Sequence, residues 1–202
     1  MVVKGIQFWF EFASTYSYLS VMRIEDRARE AGIPVEWKPF LLGPIFRNQG
    51  WNTSPFNIYH AKGIYMWRDI ERLCDKYNIP FKQPSKFPRN SLLSARVGCI
   101  AMSERWCQEF TRAVFRANFA LDREIADPMI ITEILDSIGL DGSGLIKRAE
   151  SPENKEILRK QTEEAISLGI FGAPTFVVGT ELFWGNDRLE DAIDWYKKHI
   201  SR

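Results

Sequence analysis

The chain has 202 residues, of which 45% are hydrophobic and 26% charged, so it can bury a sizeable core and is not intrinsically disordered. Its 27 Lys and Arg residues nearly balance its 26 Asp and Glu residues, and the formal charge of +1 creates no global field for nucleic acid or anionic membranes. We therefore expect a globular protein with neither a nucleic-acid nor a membrane partner.

The start of the chain argues against secretion. Lys4 and Glu11 stand in the stretch that a signal peptide would keep apolar. No apolar run in the sequence approaches the length needed to cross a bilayer. We therefore expect a cytoplasmic protein.

The cysteines and histidines predict neither a disulfide nor a metal site. Cys74, Cys99 and Cys107 form no CxxC pair, so we expect reduced thiols that pack in the core. His60 and His199 do not lie at metal-ligand spacing from a cysteine. A catalytic Cys/His pair is not expected for the same reason.

The first elements along the chain form a strand, a helix and a strand. Residues 6–12 (IQFWFEF) combine alternation with aromatic enrichment, which predicts a largely buried strand. Apolar residues then recur at helical spacing over 18–31, and Gly32 followed by Pro34 predicts the end of this helix. Residues 35–40 predict a second strand. This order favours parallel pairing of the two strands.

The middle of the chain predicts a helical insertion, because residues 61–169 show helical patterns without a clear strand. The predicted helices cover residues 61–77, 91–107, 128–138 and 152–168. The caps and stops of the last two are Asp127, Pro128 and Gly139, then Ser151 and Gly169. The preceding segment, 41–60, is too long for an ordinary connector and predicts a functional loop.

Strand patterns return after the insertion. Residues 175–179 and 182–184 predict two strands, and residues 189–199 predict a final helix. The outline is therefore βαβ, a helical block and ββα, an α/β fold.

One group of candidate residues, Ser14-Thr15-Tyr16-Ser17, stands between the first strand and the first helix. A helix N-terminus stabilises an anion, and in a redox protein that anion is a cysteine thiolate. Serine cannot form a disulfide, so this site can only stabilise the thiolate of another molecule. The simpler interpretation makes Ser14 or Ser17 the N-cap of the helix. A serine hydrolase is poorly supported, since neither histidine belongs to a recognisable motif.

Two further segments adjoin the last strands. Ala173-Pro174 precedes the strand at Thr175, and a cis bond there would expose the backbone of Ala173 to an extended peptide, whereas a trans proline would merely begin the strand. The turn Trp184–Arg188 (WGNDR) is either a capped helix start or a site where backbone amides meet a carboxylate and Asp187 meets an ammonium group.

Lys62 is the remaining candidate. It lies near a predicted helix start, where a cation is unfavourable for the helix dipole, which hints at a role other than stability. The simpler interpretation is a solvated lysine on an amphipathic helix.

Five segments together resemble the 2-hydroxychromene-2-carboxylate isomerase family, which is close to the kappa-class glutathione transferases and more distantly related to the periplasmic disulfide oxidoreductases. The segments are FWFEFASTYSYLS at 8–20, AKGIYMWRDIERL at 61–73, FPRNSLL at 87–93, FGAPTFVVG at 171–179 and LFWGNDRLED at 182–191. The similarity spans nearly the whole chain in the family's order. The family commonly has proline after the serine, where this chain has Thr15.

The resemblance implies a thioredoxin-like fold with a large all-helical insertion domain, a homodimer, and glutathione as cofactor. The thioredoxin-like domain would comprise residues 1–40 and 170–202, and the insertion 41–169 with its active-site loop. Ser14 would be the catalytic residue, facing the glutathione sulfur. The implied glutathione-binding residues are Asn52, Lys62, Ala173, Pro174, Thr175, Asn186, Asp187 and Arg188.

The implied activity is a glutathione-dependent cis-trans isomerisation of a small aromatic substrate. Ser14 would lower the thiol pKa, and the thiolate would add to a conjugated carbon, permit bond rotation and leave again. A kappa-like glutathione transferase, which keeps the adduct as its product, is one alternative. A thioredoxin-like module that binds partners without catalysis is another.

Overall fold

The computed structural model describes residues 5–200. Residues 1–4 and 201–202, which the predicted thioredoxin-like domain includes, lie outside the described residues.

The strands form one mixed sheet. They are β1 (Ile6–Phe10), β2 (Val35–Pro39), β3 (Thr175–Val178) and β4 (Glu181–Trp184), in the order β2-β1-β3-β4. β1 pairs with β2 in parallel, as predicted, while β3 is antiparallel to both β1 and β4. β1 ends two residues earlier than the predicted strand, because the turn toward Ser14 begins at Glu11.

The first predicted helix is two helices. α1 (Thr15–Val21) begins earlier than predicted, because Ser14 caps it, and α2 (Ile24–Ala31) follows after a break at Met22 and Arg23. The predicted stop is confirmed, since Gly32 takes the left-handed conformation with a φ of 68°.

Helices fill the chain between β2 and β3. They are α3 (Leu42–Asn48), α4 (Pro55–Ile58), α5 (His60–Tyr77), α6 (Leu92–Ala101), α7 (Cys107–Phe119), α8 (Pro128–Ser137), α9 (Gly142–Ala149) and α10 (Pro152–Ser167). After β4 come the short 3-10 helix Asn186–Arg188 and α11 (Leu189–His199). The structure therefore has the predicted thioredoxin-like fold with a helical insertion.

Three sequence predictions about the insertion were wrong. The segment 41–60 is not a plain loop, because α3 and α4 lie within it, and Ser54 caps α4 ahead of Pro55. The predicted helix 91–107 breaks between α6 and α7. α9 was not predicted; Asp141 caps it, but two of its first three residues are glycine.

The sheet and the insertion share a hydrophobic core. Phe10 of β1 packs against Phe115 of α7 with ring centroids 6.2 Å apart, and both are fully buried. On the other face of the sheet, Trp9 packs with Ala165 of α10 in a second cluster. Helices of the insertion thus pack on both faces of the sheet. This packing holds the insertion and the sheet in place around the cavity described below. The domain bounds given above stay a prediction.

The cysteines are free and buried, as predicted. Burial raises the pKa of Cys74, Cys99 and Cys107 to about 12, so none of them provides a thiolate near neutral pH. Within residues 5–200, no helix combines the length and the apolar character that a membrane span requires.

Candidate active site

A cavity of about 2150 Å³ opens where the end of β1, the start of α5 and the β3 and β4 strand ends meet. Drug-sized ligand pockets measure roughly 300–1,000 Å³, so this space admits two small molecules side by side. The predicted site residues that line it are Ser14, Asn52, Lys62, Ala173, Asn186, Asp187 and Arg188. Pro174 and Thr175 are not among the residues that line it.

Ser14 is both the N-cap of α1 and a cavity residue. Its Oγ accepts a hydrogen bond from the Ser17 backbone N–H at 3.2 Å and donates one to the Ala173 carbonyl oxygen at 2.9 Å. The N-cap interpretation of Ser14 is therefore confirmed, and the same hydroxyl also lies at the cavity. The Ala173 bond joins positions 159 residues apart, so the fold has brought the two predicted groups into contact.

The Ala173–Pro174 peptide bond is cis. Pro174 accepts a hydrogen bond from the Gly185 N–H at 3.0 Å, which ties this segment to the turn after β4. Thr175 is buried in β3, and its Oγ1 donates to the Gly172 carbonyl at 2.9 Å. Its side chain therefore stabilises the turn before β3, and its part in binding glutathione stays a prediction.

The three predicted residues in the turn after β4, Asn186, Asp187 and Arg188, differ in burial and in their partners. Asn186 is buried, and its Oδ1 accepts hydrogen bonds from Ser20 at 3.1 Å and Arg23 at 3.2 Å. Asp187 is 73% exposed and lies 3.4 Å from Arg188, which also pairs with Asp191 at 2.7 Å. Asn186 thus anchors the turn to α1 and to the break before α2, while Asp187 lines the cavity with its exposed carboxylate.

Lys62 and Asn52 also line the cavity. Lys62 is exposed in the first turn of α5, and its Nζ lies 4.9 Å from the centre of the Tyr59 ring. Within residues 5–200, no acidic group forms an ion pair with Lys62, which leaves its charge for an anionic ligand. Asn52 lies in the segment between α3 and α4.

Thr15 does not disturb the serine turn. Thr15 is the first residue of α1, where a missing N–H costs nothing, and Ser14 before it is extended with φ −82° and ψ 121°. This backbone accommodates either threonine or the family's proline. Thr15 Oγ1 contacts the Met66 sulfur at 3.0 Å, which packs α1 against α5.

Tyr16 and Asp69 are cavity residues to which the sequence analysis assigned no role of their own. The Tyr16 hydroxyl donates to Asp69 Oδ2 at 3.0 Å. Burial raises the pKa of Tyr16 well above its ordinary value, and the negative charges of Asp69 and Asp187 raise it further. Tyr16 therefore stays protonated as a hydrogen-bond donor.

Glu11 is a third cavity residue that the sequence did not reveal, because its segment predicts a buried strand. Its Oε2 accepts the Ala13 N–H at 2.9 Å, its Oε1 accepts the Ser91 hydroxyl, and it lines the cavity at 6% exposure. Burial raises the pKa of Glu11 to about 7, against the two hydrogen bonds, which lower it. A glutamate within a run of aromatic residues was the signal that could have found it.

These features define a class of protein: a thioredoxin-like fold with a helical insertion, in which the first helix begins with serines instead of a cysteine pair and Ser14 lines a large cavity. Such a site lacks the sulfur needed for disulfide exchange, and the Ser14 hydroxyl provides a hydrogen-bond donor at the cavity.

Comparison with known proteins agrees with this class. The model of the DSBA-like thioredoxin domain family matches residues 5–197, and the chain belongs to that family. A 2-hydroxychromene-2-carboxylate isomerase of Sphingobium xenophagum is 30% identical over 190 residues, which cover 94% of this chain and 96% of the relative. The family resemblance seen in the sequence is therefore confirmed.

Two further comparisons extend this result. Glutathione S-transferase kappa 2 of Caenorhabditis elegans is 26% identical and covers 95% of this chain and 91% of its own. A solved structure of 2-hydroxychromene-2-carboxylate isomerase superposes with a TM-score of 0.87 at 24% identity, covering 96% of this chain and 94% of that one. The structural match supports the fold, and the curated relatives support the prediction of an enzyme of the isomerase type.

Proposed function

We propose that the protein is a glutathione-dependent isomerase of the 2-hydroxychromene-2-carboxylate type. The observation that carries the proposal is the contact between Ser14 Oγ and the Ala173 carbonyl at the wall of the large cavity. It joins a hydroxyl donor and a cavity-lining peptide group, two features that can recognise a cysteine-containing peptide.

The cavity suits glutathione in charge as well as in size. Glutathione carries two carboxylates and one ammonium group at neutral pH. The cationic side chains that line the cavity are Arg47, Lys62, Lys76, Arg89 and Arg188. We assign the γ-glutamyl ammonium to Asp187, whose carboxylate is exposed, and a carboxylate to Lys62.

Backbone pairing would hold the middle of the tripeptide. The Ala173 carbonyl now accepts the Ser14 hydroxyl, and an incoming peptide N–H would replace that donor. Ser14 is then released to donate toward the ligand sulfur, while its Oγ still accepts the Ser17 N–H. Because α1 has only seven residues, we assign the stabilisation of the thiolate to this hydroxyl rather than to the helix dipole.

Glutathione would supply a thiolate that adds reversibly to a conjugated carbon, so that a double bond becomes single, rotates and forms again. The remaining volume of the cavity would hold the small aromatic substrate, and Phe46, Trp51 and Phe56 provide an apolar wall for it. Arg47, on the same helix as Phe46, offers a charge for the substrate's carboxylate.

Turnover of 2-hydroxychromene-2-carboxylate with and without glutathione tests the proposal. We expect a rate that depends on glutathione and that regenerates it. An undiminished rate after rigorous removal of glutathione would reject the cofactor. A stable conjugate as the product would instead support the kappa-like transferase, which the 26% identical kappa relative favours and which would use the same site.

Calorimetry with reduced glutathione tests the third possibility, a binding module without catalysis. Folded protein that shows no binding heat would contradict both enzyme proposals. The homodimer stays a prediction, which sedimentation equilibrium can check.

A further inference from the structure

Glu11 is a buried carboxyl group that has no role in the thiol chemistry proposed above. It stands three residues before Ser14, and its backbone carbonyl accepts the Ser14 N–H at 2.9 Å. Its side chain lines the same cavity. A buried carboxyl without a cationic partner costs stability, and such groups cluster at functional sites.

The surroundings of Glu11 do not neutralise it. Within residues 5–200, no ion pair joins Glu11 to a cation. Arg89, two residues before Ser91, pairs with Asp122 at 2.5 Å and with Glu124 at 3.9 Å. Tyr16 and Asp69, which share the cavity, bond to each other, and Lys62 faces the Tyr59 ring. The fold therefore keeps a carboxyl at the cavity wall without a counter-charge.

Ser91 connects this carboxyl to the open space. Its hydroxyl donates to Glu11 Oε1, and Ser91 itself lines the cavity just before α6. When Glu11 carries a proton, that hydrogen bond can reverse: the carboxyl donates to Ser91 Oγ, and the Ser91 hydrogen turns toward the cavity. Both forms of Glu11 keep the hydrogen bond from the Ala13 N–H.

We propose that Glu11 and Ser91 form a proton relay that delivers a proton to the carbonyl oxygen of the bound substrate and takes it back. The inference rests on the proposed function. It assigns Ser91 as the residue that touches a conjugated 2-oxo acid, and Glu11 as the group that supplies the proton through Ser91.

The relay balances the chemistry of addition and elimination. When the conjugated carbon gains a sulfur substituent, the π electrons of the double bond move to the carbonyl oxygen. That oxygen takes the Ser91 hydrogen, Ser91 takes the Glu11 hydrogen, and Glu11 becomes a carboxylate with both hydrogen bonds intact. Elimination reverses each transfer, so no proton is gained or lost. The pKa of about 7 suits a group that both gives and accepts a proton near neutral pH.

The test compares Glu11→Gln and Ser91→Ala with wild type, and Ser94→Ala serves as the matched control. Ser94 is a fully buried serine on α6 that donates to the Ile125 carbonyl and does not line the cavity. With glutathione and 2-hydroxychromene-2-carboxylate, we expect kcat to fall about 100-fold or more in Glu11→Gln, with Ser91→Ala also reduced and Ser94→Ala unchanged. Glutathione affinity should stay within about twofold in all three variants.

Two readouts separate a relay from a merely structural role. In wild type kcat should decline as the pH rises through about 7, and Glu11→Gln should lack this decline. Without glutathione or substrate, the infrared band of a protonated carboxyl should titrate in the same range in wild type, be absent in Glu11→Gln and shift its midpoint in Ser91→Ala.

The outcomes remain distinguishable from a failure of the proposed function. A wild-type protein without glutathione-dependent turnover contradicts that function and the relay together. Turnover that Glu11→Gln retains within about threefold, with the alkaline decline intact, contradicts the relay alone. If Glu11→Gln does not fold, unchanged kcat and pH profile in Ser91→Ala overturn the proposal in its place.

Discussion

Replacing Glu11 with glutamine should make the protein more stable at alkaline pH, and the size of the effect follows from the structure. In the folded protein burial raises the pKa of Glu11 to about 7 from its ordinary 4.5. At about 1.4 kcal/mol for each pKa unit, the difference corresponds to about 3 kcal/mol. Glutamine preserves the shape and can still accept the Ala13 N–H and donate to Ser91 Oγ.

The sign follows from proton binding. Below pH 4.5 the carboxyl is protonated in both the folded and the unfolded chain, and its burial costs little. Between pH 4.5 and 7 the unfolded chain loses this proton while the folded protein keeps it, so stability falls as the pH rises. Above pH 7 the loss is complete. Glu11→Gln lacks the titration, so its stability relative to wild type should increase by about 3 kcal/mol from pH 4 to pH 8.

Urea denaturation followed by the fluorescence of the seven tryptophans measures this difference at each pH. Glu36→Gln is the control, because Glu36 is an exposed carboxyl on β2 whose replacement should change stability by less than about 0.5 kcal/mol. A Glu11→Gln minus wild-type difference that stays constant between pH 4 and pH 8 would refute the reasoning. Glu11 would then ionise in the fold as easily as in water.

Three more substitutions probe the glutathione site. Ser14→Ala should cost about 1 kcal/mol of stability because the helix cap is lost. The pKa of the bound glutathione thiol, measured by ultraviolet thiolate absorbance, should rise by about one unit. A thiol titration curve that coincides with that of wild type would exclude a catalytic role for Ser14. Asp187→Asn should weaken glutathione binding about tenfold, as measured by calorimetry, with Glu190→Gln as a control. An unchanged affinity in Asp187→Asn would show that Asp187 does not bind glutathione. Thr15→Pro should fold with a stability within about 1 kcal/mol of wild type and leave the pKa of the bound thiol unchanged, because the Ser14 backbone is already extended. An unfolded Thr15→Pro variant would show that the contact between Thr15 and Met66 is essential.

The order of elements was predictable because each has a local signal. The aromatic alternation of β1 and the glycine after α2 depend on neighbours in sequence, and both predictions held. α7 and α9 were harder, because α7 lacks a side-chain cap at Trp106 and α9 opens on Gly142 and Gly144. Packing against the core, rather than local propensity, decides such helices.

The site was only partly predictable for a related reason. Ser14, Lys62 and Asp187 are candidates by their positions in the sequence, the family resemblance connects them to glutathione, and the structure places them around one cavity. Glu11 and Ser91 are 80 residues apart in sequence, and Tyr16 and Asp69 are 53 residues apart. No local sequence pattern therefore predicts either contact. Burial converts an ordinary glutamate into a group that titrates near neutral pH, and burial is a property of the fold.

The hydrogen bonding of Ser14 limits what this residue can contribute to the chemistry. Its hydroxyl must have an acceptor, which in the described structure is the neutral Ala173 carbonyl at 2.9 Å. A hydrogen bond to a charged acceptor contributes about 1.5–3 kcal/mol, against about 0.5–1.5 kcal/mol for a neutral one, so exchanging the carbonyl for a thiolate gains about 1 kcal/mol. Because a protonated sulfur is a weak acceptor, this gain belongs to the ionised form alone, and it lowers the thiol pKa by about one unit. A larger shift would therefore require further donors or charges at the cavity, where no acidic group within residues 5–200 forms an ion pair with Arg47, Lys62 or Lys76.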